Sequence, residues 1–332
     1  MALTKVSNSM LVQPVNHNIL INPSFTVKQR GDVIDHDGNT SYGPDRWRIR
    51  GLNDVGGTKV ESRTEVDAAT GINKLVVKHE GTTSSAAHLI QIIEAVNIQG
   101  LYSKEMTFSF GYSDTGGSGI PQVRVLSYNS SATSKELYLA VPTSLGNNRW
   151  TCTVTLSTTD GTIPDPNEKG MQVLIWPNEQ NNAPSEWSVW ETKLEVGSVV
   201  TPFIARSHGE ELALCHRYYY RFGSGTGFGS AEAGSGANTY LCAYSFRHPV
   251  PMRAAPTMTL ISGETTYFAG GIGVTIGTPT GDLGNVATSS MKMEGSSLTA
   301  DGVNRFRLSG FSFTRGMGYA AITNFVNSDA EL

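Results

Sequence analysis

The chain has 332 residues, more than one average domain needs, and only 16% of them are charged. Its 25 Lys plus Arg nearly cancel 29 Asp plus Glu, while 36 Gly stand beside 33 Ser and 33 Thr. A net charge of −4 without a long cationic run argues against nucleic acid as a partner, and no apolar stretch reaches the roughly 18 to 20 residues a membrane span requires.

Residues 1–17 show little hydrophobic pattern and no continuous apolar core of a secretory signal, so synthesis in a cytoplasm is expected. Asn22-Pro23 forces an extended or turn geometry before Phe25. Asp35, Asp37 and Asn39 place oxygen side chains at alternate positions, as a calcium loop begins. Residue twelve of that count is Arg46, which excludes an EF-hand and leaves only a structural calcium site, with no other cofactor expected. Asp45-Arg46-Trp47 couples an ion pair to a large ring that belongs in a core.

Beyond this point period-two alternation dominates. Met106, Phe108, Phe110 and Tyr112 share one side of a strand; Val123/Val125, Leu137/Leu139/Val141, Trp150/Cys152/Val154/Leu156 and Met171/Val173/Ile175 repeat the arithmetic between turn-rich segments. Short antiparallel strands of a β-sandwich are predicted. A helix of about three turns is predicted over Glu210–Arg221, with two acids in its first turn and Arg221 near its end. The Gly-rich stretch 223–236 reads as a loop. Tyr240/Cys242/Tyr244/Phe246, Phe306/Leu308 and Phe311/Phe313 then predict a second, smaller antiparallel β domain. The fold class is therefore all-β, organised as an N-terminal segment 1–17, a sandwich 18–206, a short helix 207–222 and a C-terminal domain 223–332.

Catalytic patterns are missing. There is no Gly-x-Ser-x-Gly elbow, no phosphate-cradling Gly-x-Gly-x-x-Gly before a helix, and no His-Glu-x-x-His. Cys152, Cys215 and Cys242 are too few and too widely spaced for a zinc knuckle and are expected to be free thiols. Glu191 and Glu195 lie in one β pattern with Trp187 and Trp190, acids beside aromatics as in sugar sites. As i and i+4 on a strand, however, they stand more than about a dozen ångströms apart, too far for a close pair.

Three stretches together carry a resemblance: Asn18 to Gly31 with Tyr42-Gly43-Pro44-Asp45-Arg46-Trp47; Trp187 to Gly197 with Thr201-Pro202-Phe203 and Arg206; and Glu211, Leu212, Cys215, Arg217, Tyr218 and Tyr219 with Pro249–Arg253 and Pro256. They resemble the carbohydrate-binding-module-like jelly rolls of bacteriophage tail fibre and tail-associated proteins, with the helix and C-terminal domain that often follow. Lys193 stands where that family usually has Gln. The resemblance implies a virion protein, a tail fibre or receptor-binding protein, assembled as a homotrimer and binding host surface polysaccharide or lipopolysaccharide without cleaving it. Its other partners would be virion proteins, to which 1–17 could dock. The alternatives are a polysaccharide-degrading tailspike enzyme and a head fibre or decoration protein.

Sugars are held by aromatic faces plus amide and charged side chains. Trp176 beside Asn178, with Tyr112 and Tyr128, are the stacking candidates of the first domain; Tyr267 and Phe268, before Gly270-Gly271, are those of the second and C-terminal one, the candidate receptor-binding tip. Leu212, Cys215, Tyr219 and Phe222 are the expected trimer contacts, drawn from two apolar stripes of the helix. The near-zero charge matches recognition of neutral glycans by stacking and hydrogen bonds.

Overall fold

The computed structural model describes residues 18–36, 40–50, 59–80, 87–115, 119–178, 185–221, 229–233, 240–254, 256–260, 266–272, 292–298, 303–311, 317–323 and 326–331. The chain divides into two compact units, 1–211 (with residue 332) and 212–331.

The first unit is a jelly-roll β-sandwich. Its strands are β1 (Val33–His36), β2 (Thr40–Tyr42), β3 (Arg48–Arg50), β4 (Lys59–Val66), β5 (Asn73–Glu80), β6 (His88–Glu94), β7 (Glu105–Thr115), β8 (Pro121–Tyr128), β9 (Ser134–Ala140), β10 (Thr143–Gly146), β11 (Arg149–Thr155), β12 (Lys169–Pro177) and β13 (Ser185–Val196). They form an antiparallel sheet in the order β1-β4-β5-β13-β7-β11-β10 and a second in the order β2-β3-β6-β12-β8-β9. The alternating residues supply one shared core. Met106, Phe108, Phe110 and Tyr112 of β7, with Trp187, Val189 and Leu194 of β13, meet Leu89, Val123, Val125, Met171, Val173 and Ile175 of the second sheet. Each such side chain contributes about 1.5–3 kcal/mol on burial. Cys152 is a buried free thiol in this core, and burial pushes it up to about 12.

Two β-bulges decide which side chains face outward. In β13 the register slips between Trp190 and Lys193, around Glu191 at φ 47°. Without the slip Lys193 would point into the core; with it Leu194 does, and Lys193 and Glu195 face away. Lys193 then ion-pairs with Glu195 at 3.0 Å and donates to Thr201 and, at 3.1 Å, to the Pro202 carbonyl, pinning the strap after β13. In β9 the slip opposite Val125 and Leu126 brings Tyr138 inward and leaves Leu139 and Val141 exposed, correcting the predicted Leu137/Leu139/Val141 face. Gly111 of β7 is required by packing: a Cβ there would lie 2.1 Å from the Trp190 ring.

Residues 18–31 form no regular ladder, so their backbone groups are satisfied partly by isolated backbone bonds, as from the Ile19 N–H to the Leu194 carbonyl (2.9 Å) and from the Thr192 N–H to the Pro23 carbonyl (3.1 Å), and partly by side chains. Asn22 lies at φ 55°. Its Nδ2 donates to the Val27 carbonyl (2.8 Å) and the Asp45 carbonyl (3.0 Å), and its Oδ1 accepts from the Val27 N–H (3.0 Å). Trp47 Nε1 donates to the Asn22 carbonyl at 2.8 Å. Gln91 exchanges two bonds with the Ile21 backbone, 2.9 and 2.8 Å. Arg206 donates to the Asn18 and Leu20 carbonyls and pairs with Glu211 at 3.1 Å, while Glu211 accepts the Asn22 N–H at 2.5 Å. Of the residues that carry the resemblance, Asn18, Asn22, Asp45, Trp47, Arg206 and Glu211 thus form a structural clasp.

The helix α1 spans His208–His216, shorter than predicted. Ser207 and Glu210 form a capping box, with the Ser207 hydroxyl accepting the Glu210 N–H (3.3 Å) and Glu210 accepting the Ser207 N–H (3.0 Å). Its last turn closes with the Tyr218 N–H on the Cys215 carbonyl. The aromatic run then enters β14 (Tyr219–Arg221), because pairing with β22 (Val326–Asp329) outweighs local helix propensity. The second unit holds a three-stranded sheet β14-β22-β17, with β17 at Thr257–Leu260. Its six-stranded sheet runs β18-β21-β15-β16-β20-β19, from β15 (Gly229–Ala233), β16 (Tyr240–Arg247), β18 (Thr266–Ile272), β19 (Lys292–Leu298), β20 (Val303–Phe311) and β21 (Met317–Thr323).

All five tryptophans lie in the first unit, so their fluorescence follows its unfolding alone. Asn22→Ala removes three buried side-chain hydrogen bonds and is expected to lower the stability of this unit by roughly 3 kcal/mol in urea. An unchanged midpoint would refute the clasp.

Candidate functional site

Alternation places His88, Ile90, Ile92 and Glu94 of β6, Gln172, Leu174 and Trp176 of β12, and Gln122, Arg124, Leu126 and Tyr128 of β8 on the outer face of the second sheet. Arg48 and Arg50 of β3 lie opposite Ile90 and His88 and join the same face. An outer sandwich face is ordinarily polar. Here Ile90, Ile92, Leu126 and Leu174 form their own buried cluster, with Tyr128 and Trp176 packed against it.

The two aromatics bound this floor along the strands. Trp176 is opposite Gln122, and Tyr128 lies six residues further along β8, roughly 20 Å away at ~3.3 Å per residue. His88 lies against Trp176, ring centroids 4.6 Å apart. Tyr128 donates its hydroxyl to Gln172 at 2.5 Å, and Lys169 Nζ stands 5.9 Å from its ring centre. Across the floor, Arg48 stands 5.7 Å from the Tyr42 ring centre, and Arg124 pairs with Glu136 at 2.8 Å. Half-buried rings, amides and guanidinium groups over an apolar floor can stack on the C–H faces of a chain-like ligand and bond its hydroxyls.

Trp176, Tyr128 and Asn178 thus belong to one sheet, with Asn178 extending the β12–β8 pairing through its N–H to the Ile120 carbonyl (2.9 Å). Tyr112 is a core residue instead: it is fully buried against Trp187, its hydroxyl reaches Asp114 at 3.4 Å, and it offers no ring face to a ligand. Tyr267 and Phe268 lie in β18, opposite Ile322 and Ala321. Asp35 pairs with Glu61 in the β1–β4 ladder, whereas Asp37 and Asn39 lie outside the described residues. Of the expected trimer contacts, Cys215 and Tyr219 are buried within the single chain, Leu212 is half-buried and Phe222 lies outside the described residues. The two suspect acids are both engaged, Glu191 by Arg149 at 3.1 Å and Glu195 by Lys193.

Sequence patterning missed His88, Arg48, Arg50, Arg124 and Gln172. One signal was available for the floor: residues 89–93 read Leu-Ile-Gln-Ile-Ile, a near-continuous apolar run marking a strand covered on both faces.

No family model matches the chain, and no curated protein matches it in sequence. Among solved structures, a Bacteroides thetaiotaomicron protein described as sugar-binding is 12% identical over 54% of this chain and 100% of its own, with a TM-score of 0.32. The family 11 carbohydrate-binding module of Clostridium thermocellum, solved with a mixed-linked tetrasaccharide, is 16% identical over 52% of this chain and 98% of its own, at 0.30. The enzymatically active domain of bacteriophage CBA120 tailspike protein 4 is 10% identical over 54% of this chain and 21% of its own, also at 0.30. The all-β jelly-roll assignment stands on the sheet order and shared core of the chain itself.

Burial, then repulsion from Arg50 and Arg124, lowers His88 to about 4. The unfolded chain therefore binds a proton at His88 near pH 6.5 that the folded chain refuses until about 4, so stability falls as pH drops through that window. His88→Asn is expected to flatten the pH dependence of urea unfolding between 6.5 and 4; an unaltered slope would contradict this environment.

Proposed function

We propose that the protein is a bacteriophage adhesion protein, a tail fibre or receptor-binding protein carried on the virion, which holds host surface polysaccharide or lipopolysaccharide on the outer face of the second sheet without cleaving it. The observation that carries the glycan reading is the pairing of Trp176 and Tyr128 at opposite ends of an apolar floor flanked by Gln122, Gln172 and three arginines. A floor of this length accepts several sugar rings in line. The phage assignment rests on the resemblance of the sequence stretches named above. Among the described residues the carboxylates of this face are Glu136, paired with Arg124, and the fully buried Glu94, which favours holding over hydrolysis, since hydrolysis needs two accessible carboxyls in distinct protonation states.

Display in several copies raises weak per-site affinity through effective concentration. We propose a homotrimer that is also tethered to other virion proteins; with Cys215 and Tyr219 buried in the chain itself, Leu212 is, among the described residues, the trimer-contact candidate that retains surface. Sedimentation velocity at micromolar protein should return three times the chain mass, and a monomer would refute the trimer.

On a glycan array, Trp176→Ala should weaken every hit about tenfold, equivalent to ~1.4 kcal/mol. Unchanged hits would remove this face as the site. Incubation with host capsule or lipopolysaccharide should release no reducing ends; their appearance would turn the reading to a tailspike enzyme.

A further inference from the structure

Although the chain carries a net charge of −4, the candidate face is cationic. Arg48 and Arg50 on β3 flank the apolar floor from one side and Arg124 on β8 from the other, with Lys169 near Tyr128 at one end. Among the described residues the carboxylates belonging to this face are Glu136, already paired with Arg124, and Glu94, fully buried at the end of β6. Arg50 is exposed and has no carboxylate partner among the described residues. His88, between Arg50 and the Trp176 ring, has a buried Nδ1 that makes no hydrogen bond. Arginines gathered around one floor repel each other and cannot accept a hydrogen bond from any ligand hydroxyl. They are, however, matched to planar carboxylates and to phosphates, which their forked donors grip in pairs.

We propose that this face selects anionic glycans, sugar chains bearing carboxylate or phosphate groups, with Arg48 and Arg50 reading the anion while Trp176 and Tyr128 stack on the rings. The proposal rests on the glycan reading above and replaces the neutral ligand expected from the overall charge. Arg50 is the anion-reading group open to solvent; Arg48, half-buried beside Tyr42, adds a second guanidinium two residues away on the same side of its strand.

The test presents the full chain with bacterial surface polysaccharides in three forms: native, carboxyl-reduced, and dephosphorylated with hydrofluoric acid. Affinity for at least one native acidic polymer should fall tenfold or more in the form that has lost its anion, and the treatment that causes the loss identifies carboxylate or phosphate. Arg50→Gln, a substitution at an exposed site that leaves the fold intact, should reproduce that loss on the native polymer. Raising sodium chloride from 50 to 500 mM should weaken the native polymer more than its neutralised form. Equal binding of native and neutralised polymers, abolished by Trp176→Ala, would overturn anion selection while leaving the glycan site in place. Binding to none of the three would overturn both. Displacement of bound polymer by a single-stranded oligothymidylate at lower concentration than by free acidic glycan would also overturn the proposal, in favour of a nucleic acid.

Discussion

The buried amide of Asn22 is the interaction on which the first unit depends. Residues 18–31 join no regular ladder, so the buried N–H and C=O groups that isolated backbone bonds to Asp45, Thr192 and Leu194 leave over need side-chain or turn partners. Asn22 mimics a strand neighbour with one side chain, bonding Val27 and Asp45 while its own backbone receives Trp47 and gives to Glu211. Asn22, Phe25 and Arg46 all hold positive φ, a conformation costing about 1–2 kcal/mol each for a side-chain-bearing residue. Such strain persists only where the surroundings over-determine it, and the convergence of Asn18, Gln91, Asp45, Arg206 and Glu211 on this segment supplies that constraint. Arg206 and Glu211 come from beyond β13, so closing the clasp joins the start of the sandwich to its end.

With the clasp closed, the second sheet is covered on its inner face and left with an apolar strip on its outer one. The strip is narrow, four aliphatic side chains on β6, β12 and β8, and is rimmed by groups that hydrogen-bond or carry charge. The four aliphatic side chains are themselves buried, so the surface a ligand would meet is made by the half-buried rings, amides and guanidinium groups that lie over them. Its two aromatic ends are anchored differently: Trp176 against the His88 ring, and Tyr128 through its hydroxyl to Gln172. Anchored rings lose little further freedom when a ligand stacks on them, which lowers the cost of binding.

Much of the sandwich was legible from alternation. Phe108, Phe110, Val123, Val125, Val173 and Ile175 face the core because the period of a strand is two, and nothing local interrupts β7, β8 or β12. Where the period breaks, sequence reading broke with it. The bulge in β9 exposed Leu139, and long-range pairing with β22 turned Tyr219 from helix to strand. Tyr112 shows the reverse difficulty: a tyrosine at a strand end beside Asp114 has the look of a surface platform, yet its alternation phase puts it with Phe108 and Phe110 inside.

The sequence by itself determined the all-β class, the core phase of the longer strands and the buried free thiol at Cys152, because these follow from local periodicity and from residue type. It also determined that Trp176 and Tyr128 were candidates, without saying whether they could act together. Only the tertiary structure decided that they share one face with His88, Gln172 and three arginines. The order β3-β6-β12-β8 in the second sheet is not chain order, so residues from distant segments become neighbours across hydrogen-bonded strands. Adjacency in a sheet is set by non-local pairing, which no local pattern records.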